Sequence, residues 1–187
     1  MLFRSNASAC WMGALTVARM ANQVQAQVVE VKPKGKWPLL LAVPDAPLLT
    51  EQARRALPFQ YSRADVTTNI QNSMLLLAAF TQDRPDLLPS ALEDRIHQPY
   101  RAPLCPLLPA IKELTGDSGI LGAALSGAGP SVLVFLDPKV SPKKARQRIA
   151  AHLTKRRLTA ELILTEIAVH GGRDGADWKK HHPPGKK

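Results

Sequence analysis

The sequence predicts an α+β fold in which a β-α-β-β-α-β succession follows a short amino-terminal helix and strand. Three observations predict it. The apolar runs "LLLAVP", "GILGAALS" and "SVLVFLD" have the length of buried strands. "YSRADVTTNIQNSMLLLAAFTQ" and "SPKKARQRIAAHLTKR" combine helical spacing with residues that start helices. "TAELILTEIAV" then alternates polar and apolar residues as a half-buried strand does. With 187 residues, 45% of them apolar, the chain can bury a core of its own.

Taken in order, a helix is expected over Ala7 to Leu15, then a strand in "VQAQVVEV" and a turn in "KPKGKWP". "LLLAVP" is the first strand of the main succession. "TEQARRAL" reads as a short helix with Thr50 as its N-cap. In the long helix that follows, Ser62 stands three residues before Asp65, the spacing of a capping box, and Ile70, Met74, Leu77 and Ala78 share one face. "PDLLPSALEDRI" reads as a helix ending near His97, with Pro85 and Pro89 in its first turns. After the proline-rich "HQPYRAPLCPLLP" comes a short helix around Ala110 to Leu114. The two central strands flank "SGAGPS", and a helix with Ser141 as N-cap and Pro142 at its first position precedes the last strand. This succession is that of a ferredoxin-like sandwich.

Composition excludes several classes. The longest apolar runs, "WPLLLAVP" and "MLLLAAF", are far shorter than the roughly 20 residues a membrane helix needs. No basic segment leading into a long apolar stretch heads the sequence, so no secretion signal is expected. Cys10 and Cys105 have no CxxC spacing, which argues against a disulfide framework or zinc site and suits a reducing cytoplasm. The net charge is +10. From Lys139 onward thirteen Lys/Arg stand against four Asp/Glu, so the basicity belongs to the last quarter. "SPKKARQRIAAHLTKRRL" lacks interleaved aromatic residues, zinc-finger spacing or an RNA-binding signature, and reads as a solvated helix face rather than a nucleic-acid surface.

Three stretches are candidates for chemistry. In "ALSGAGPSVLVFL", Gly127 and Gly129 suit either a plain hairpin turn or a nest of backbone N–H groups around an anion, with Ser126 and Ser131 adding hydroxyls. In "EDRIHQPYRAPL", Pro99, Pro103 and Pro106 restrict the backbone around Arg101. That residue is either a fixed clamp for a carboxylate or phosphate or a surface arginine paired with Asp94 or Glu93. In "LLTEQARRALP", the adjacent Arg54 and Arg55 point about 100° apart on a helix, so one can face a pocket while the other faces water. His97 reads as a structural hydrogen-bonding residue rather than a general base. Asn69 is open between capping a loop and approaching a substrate. His181 and His182 sit in a polar tail.

Together, "LAVPDAPLLTEQARRALP", "YSRADVTTNIQNSMLLLAAF", "RPDLLPSALEDRIHQPYRAPL" and "GILGAALSGAGPSVLVF" resemble, in order and at similar spacing, the C-terminal half of the homoserine kinases. These are members of the GHMP small-molecule kinase superfamily. The resemblance runs from about Asn6 to Phe135, with a weaker echo to Trp178. It implies transfer of the ATP γ-phosphoryl group to the L-homoserine hydroxyl, with Mg2+, in threonine biosynthesis. It also implies a cytoplasmic enzyme and a homodimer; the short apolar runs and the unpatterned basic quarter already argue against membrane and nucleic acid as partners. Carried over residue by residue, it makes Arg54 and Arg101 the pair that holds the amino-acid carboxylate. Ser126, Gly127, Ala128, Gly129, Pro130 and Ser131 become the loop that supports the triphosphate-binding loop and lines the cleft.

The sequence departs from that pattern at its amino-terminal end. A phosphate loop of the PxxxGLGSSA type is not among these residues, nor are the strands bearing the adenine pocket and the magnesium-supporting carboxylate. Of a short HxDN-like stretch, the matching positions are Phe3, Arg4, Ser5 and Asn6, so only the asparagine remains as a substrate contact. The expected division is residues 1–36 as a remnant of a nucleotide-binding domain, 37–178 as a GHMP kinase C-terminal domain and 179–187 as a basic, disordered tail. The expectation is that the chain alone has little kinase activity. Another GHMP small-molecule kinase, or an amino-acid-binding module without chemistry, is the alternative.

Overall fold

A computed structural model describes residues 4–22 and 25–172. The described residues divide into two compact units, one formed by residues 35–166, the other by those before residue 35 with residues 167–172.

In the amino-terminal unit, helix α1 (Arg4–Met12) runs into strand β1 (Leu15–Met20), which pairs antiparallel with β2 (Ala26–Val31). The expected helix over Ala7 to Leu15 therefore stops early, and β1 was not foreseen. Gly13 and Ala14, at φ 75° and 52°, reverse the chain before a third turn is complete. The segment after residue 166 returns to this unit, where the Ala14 N–H donates to the Ala168 carbonyl at 2.6 Å.

The second unit is built on strands β3 (Pro38–Val43), β4 (Ile120–Leu125), β5 (Val132–Leu136) and β6 (Glu161–Glu166), all antiparallel in the order β4-β5-β3-β6. Each crossover joins strands that are separated by a third, which is the split arrangement of the β-α-β-β-α-β succession. The first crossover holds α2 (Thr50–Arg55), α3 (Arg63–Gln82), α4 (Leu88–Ala91), α5 (Gln98–Arg101) and α6 (Leu107–Lys112); the second holds α7 (Pro142–Lys155).

The pleat decides what each sheet face meets. Leu40, Ala42, Val132, Val134 and Leu136 pack with Leu107, Leu108 and Ile111 of α6 and Ala145, Ile149 and Leu153 of α7. On the opposite face Leu39 stands across from Phe135. There Phe80, from the end of α3, sits with ring centroids 4.6 Å from Trp37 and 5.9 Å from Phe135. Only the last turns of α3 reach this cluster. The stripe expected along one of its faces is split accordingly: Leu77 and Ala78 are partly covered, whereas Ile70 and Met74 are 60% and 62% exposed.

Start signals held at α3 and at α7, where Ser141 is the N-cap residue and Pro142 opens the helix, and shifted by one residue at α2. Ser62 Oγ accepts the Asp65 N–H at 3.0 Å, while the Ser62 hydroxyl donates to the Asp65 carboxylate at 2.6 Å. Ser62→Ala is expected to lower the stability of the unit by about 1 kcal/mol in urea denaturation. Thr50 lies inside α2 with Leu49 at the cap position, and neither Leu49 nor Ser141 makes a side-chain cap bond. The helix expected to reach His97 breaks at Ala91 after a 3-10 turn at Pro85–Leu87. Asp94 causes the break, because its carboxylate gathers the N–H groups of Ile96, His97 and Gln98 and begins a new helix.

Candidate functional site

Three elements meet where the sequence placed its candidates: the end of α2, the one-turn helix α5, and the loop between β4 and β5. Asp94 sets the start of α5 through Oδ1 contacts of 2.6 Å and 2.8 Å and an Oδ2 contact of 3.2 Å. One turn later Arg101 is only 9% exposed. Its Nε–H donates to the Ala53 carbonyl at 3.1 Å, and Nη1 reaches the Gly127 carbonyl at 3.5 Å. Asp94 is occupied by backbone N–H groups, and Arg101 makes no ion pair with it or with Glu93. A buried guanidinium on two carbonyls 74 residues apart in sequence ties α2 to the loop.

Arg54 follows directly on the carbonyl that Arg101 holds, and it is exposed on α2. Its neighbour Arg55, also exposed, pairs with Glu51 at 2.6 Å. Asn6 lies within the span of α1, and its side chain is outside the described residues. His181 and His182 are outside them as well.

The loop is a hairpin that does more than turn. The ladder ends at Leu125 opposite Val132. The Ser126 N–H then donates to the Ser131 carbonyl at 2.8 Å and the Gly129 N–H to the Ser126 carbonyl at 3.1 Å. Two of the amides that a nest would need are thus engaged within the loop, and an anion would have to be met by Gly127 and Ala128. Both glycines are required by conformation, with φ at 62° and 87°. Gly129 also precedes the cis peptide to Pro130 and lies over Cys105, where a β-carbon would come within 2.8 Å of Sγ. Gly129→Ala is expected to destabilise by about 1–3 kcal/mol. Cys105→Ala in the same chain should recover the steric part and leave the backbone part, as a double-mutant denaturation cycle would measure.

Cys105 is fully buried, and burial pushes its thiol up, with the Arg101 charge acting in the opposite direction. His97, although exposed at the surface, is held below the ordinary imidazole range by partial burial, opposed by Asp94 and reinforced by Arg101, which favours the neutral ring. Asn69 caps a loop, since its Oδ1 accepts the Arg95 N–H at 3.0 Å.

Sequence reasoning missed Gln98. It is 7% exposed, its Oε1 accepts the Leu125 N–H at 3.1 Å, and its Nε2 donates to the Leu92 carbonyl at 3.3 Å. The available signal was its place in "IHQPYRAPL", a long polar side chain among apolar and proline residues.

Among the described residues no group of three or more His, Cys, Asp or Glu can hold a metal ion. The side chains gathered at the loop are guanidinium, amide and hydroxyl, a donor set for anionic oxygen and a poor one for Mg2+, which requires carboxylate oxygens. No helix among the described residues is long and apolar enough to cross a membrane.

Comparison with known proteins fits this geometry. Residues 76–155 match the family model for the C-terminal domain of GHMP kinases. The chain carries a GHMP kinase C-terminal domain. It is 38% identical over 158 residues to the homoserine kinase of Deinococcus radiodurans, covering 84% of this chain and 51% of that protein. With the homoserine kinase of Solibacter usitatus it is 40% identical over 132 residues, covering 71% of this chain and 43% of that protein. The crystal structure of homoserine kinase from Cytophaga hutchinsonii superposes with a TM-score of 0.78 at 21% identity, over 88% of this chain and 51% of that one. The chain therefore spans about half the length of the relatives it matches. The α+β architecture of this GHMP domain agrees with the fold class expected from the sequence.

Proposed function

We propose that this domain forms the substrate-holding side of an ATP-dependent homoserine kinase. The observation that carries the proposal is the buried Arg101, fixed between α2 and the SGAGPS loop with Arg54 beside its anchor. Homoserine is a zwitterion whose reacting group is a hydroxyl. Holding its carboxylate on a guanidinium pair orients that hydroxyl toward the γ-phosphate. Phosphoryl transfer asks the protein mainly for such positioning and for charge stabilisation. Arg54, exposed on α2, meets the carboxylate from that helix; Arg101 offers its remaining N–H groups from α5. The SGAGPS residues line the cleft and support the phosphate-binding loop. Bound ATP would supply the phosphoryl group, and its Mg2+ would have to be held by groups other than those at this loop. The 34–40% identity to homoserine kinases supports this substrate over others of the superfamily. A cytoplasmic setting and a homodimer belong to the same proposal, supported by the unpaired spacing of Cys10 and Cys105 and by the family.

Calorimetry of the chain with L-homoserine tests it. Saturable binding is expected, with loss on replacing the carboxylate by a carboxamide. Equal binding of the carboxamide, or none of homoserine, overturns the proposal. In the same preparation, ATP and Mg2+ are expected to give little turnover, since no PxxxGLGSSA-type loop is among these 187 residues.

A further inference from the structure

We propose that Gln98 is a positioning residue that holds the SGAGPS loop in register with the Arg101 guanidinium. The inference rests on the homoserine-binding reading above and assigns a role to a side chain that makes no substrate contact. Gln98 and Arg101 are one turn apart on α5, so their side chains leave the same face of that short helix. Both are buried, and both reach the β4–β5 hairpin. Gln98 takes the N–H of Leu125, the last ladder residue before the loop, and Arg101 takes the carbonyl of Gly127, two residues further on. The helix thus grips the hairpin at two points that bracket Ser126.

The geometry also explains why an amide is needed at position 98. β4 is the edge strand of its sheet, so an outward N–H such as that of Leu125 has no neighbouring strand to bond to. Gln98 Oε1 supplies the missing acceptor, while Nε2 satisfies the Leu92 carbonyl at the end of α4. One planar amide therefore needs both an acceptor and a donor in the places where they stand; a methionine of similar size has neither, and a glutamate retains only the acceptor. The Gln98 N–H is fixed in turn by Asp94. The chain of contacts runs Asp94, Gln98, Leu125, loop. If the Leu125 contact is lost, the loop is free to shift against Arg101, and the carboxylate clamp loses its fixed spacing.

Gln98→Met and Gln98→Glu test this in the 187-residue chain, with three readouts: amide hydrogen exchange, L-homoserine affinity by calorimetry, and the urea midpoint. For Gln98→Met, exchange is expected to quicken at least tenfold at Leu125 and across Ser126–Ser131, with little change in β3 or α7. Homoserine affinity should fall at least tenfold more than it does in a Ser62→Ala chain destabilised away from the site. Gln98→Glu, which keeps the acceptor for Leu125, should lie between Met and wild type in loop exchange, and it serves alone if the methionine chain does not fold. Unchanged loop exchange overturns the proposal, whatever homoserine does. Quickened loop exchange with unchanged homoserine affinity also overturns it, reducing Gln98 to a structural bond. A wild-type chain that does not bind homoserine brings down the underlying reading and this role with it, and is told apart because no variant is involved.

Discussion

Arg101→Met is expected to abolish measurable homoserine binding, a loss of at least about 100-fold, while lowering the stability of the domain by roughly 2–4 kcal/mol. The two effects have separate origins. Methionine fills most of the volume but leaves the Ala53 carbonyl, and the more distant Gly127 carbonyl, without their donor in a place with little water. The binding loss comes from removing one of the two guanidinium groups proposed to face the carboxylate. Arg101→Lys should rescue little of either, because one compact ammonium cannot reach two carbonyls and a substrate in the plane that a guanidinium spans. Urea denaturation and calorimetry on the same samples separate the two. A methionine variant that binds homoserine as well as wild type would remove Arg101 from the site.

Phe80→Ala is expected to cost about 3–5 kcal/mol, the largest stability effect of any single truncation considered. Phe80 is 2% exposed and sits in contact range of two other aromatic rings. Alanine leaves a cavity that Trp37 cannot fill without leaving its own buried position. Domains of ordinary stability hold only about 5–15 kcal/mol in total, so the variant should unfold at markedly lower urea. Its effect on homoserine affinity, measured well below that midpoint, should be small. That contrast with Arg101→Met is the check: equal loss of affinity in both variants would mean that the site simply reports global stability.

The strands of the main sheet were readable because each is a short apolar run bounded by Gly, Pro or polar residues, and tertiary packing agreed with local pattern. The same agreement made Ser62 legible as a cap. Reading failed where two local signals competed or where the deciding partner was remote. Only Leu15 of "LTVARM" falls in the expected helix and the rest in no expected element, since nothing in its composition announces a strand after the reversal at Gly13 and Ala14. "PDLLPSALEDRI" has helical composition throughout, yet the Asp94 side chain competes for backbone N–H groups and wins. Ile70 and Met74 have the spacing of a core face, but α3 reaches the sheet only at its far end. In the site, the proline-bounded Arg101 stood out as fixed. What fixes it did not, because its carbonyl partners lie 48 and 26 residues away. Gln98 was hidden for the same reason, its Leu125 partner being 27 residues on.

Strands β3 and β6 open and finish the unit of residues 35–166, and they pair along their whole lengths with Pro38 opposite Glu166. The chain thus comes in and goes out at a single corner, about one strand spacing apart, near 5 Å. A segment with that property is a cassette. A short bridge can join its two ends, and the backbone can be reopened at a surface turn elsewhere, without breaking one rung of the ladder. Permutation and transplantation of the whole block are therefore open to an engineer, and equally to gene rearrangement.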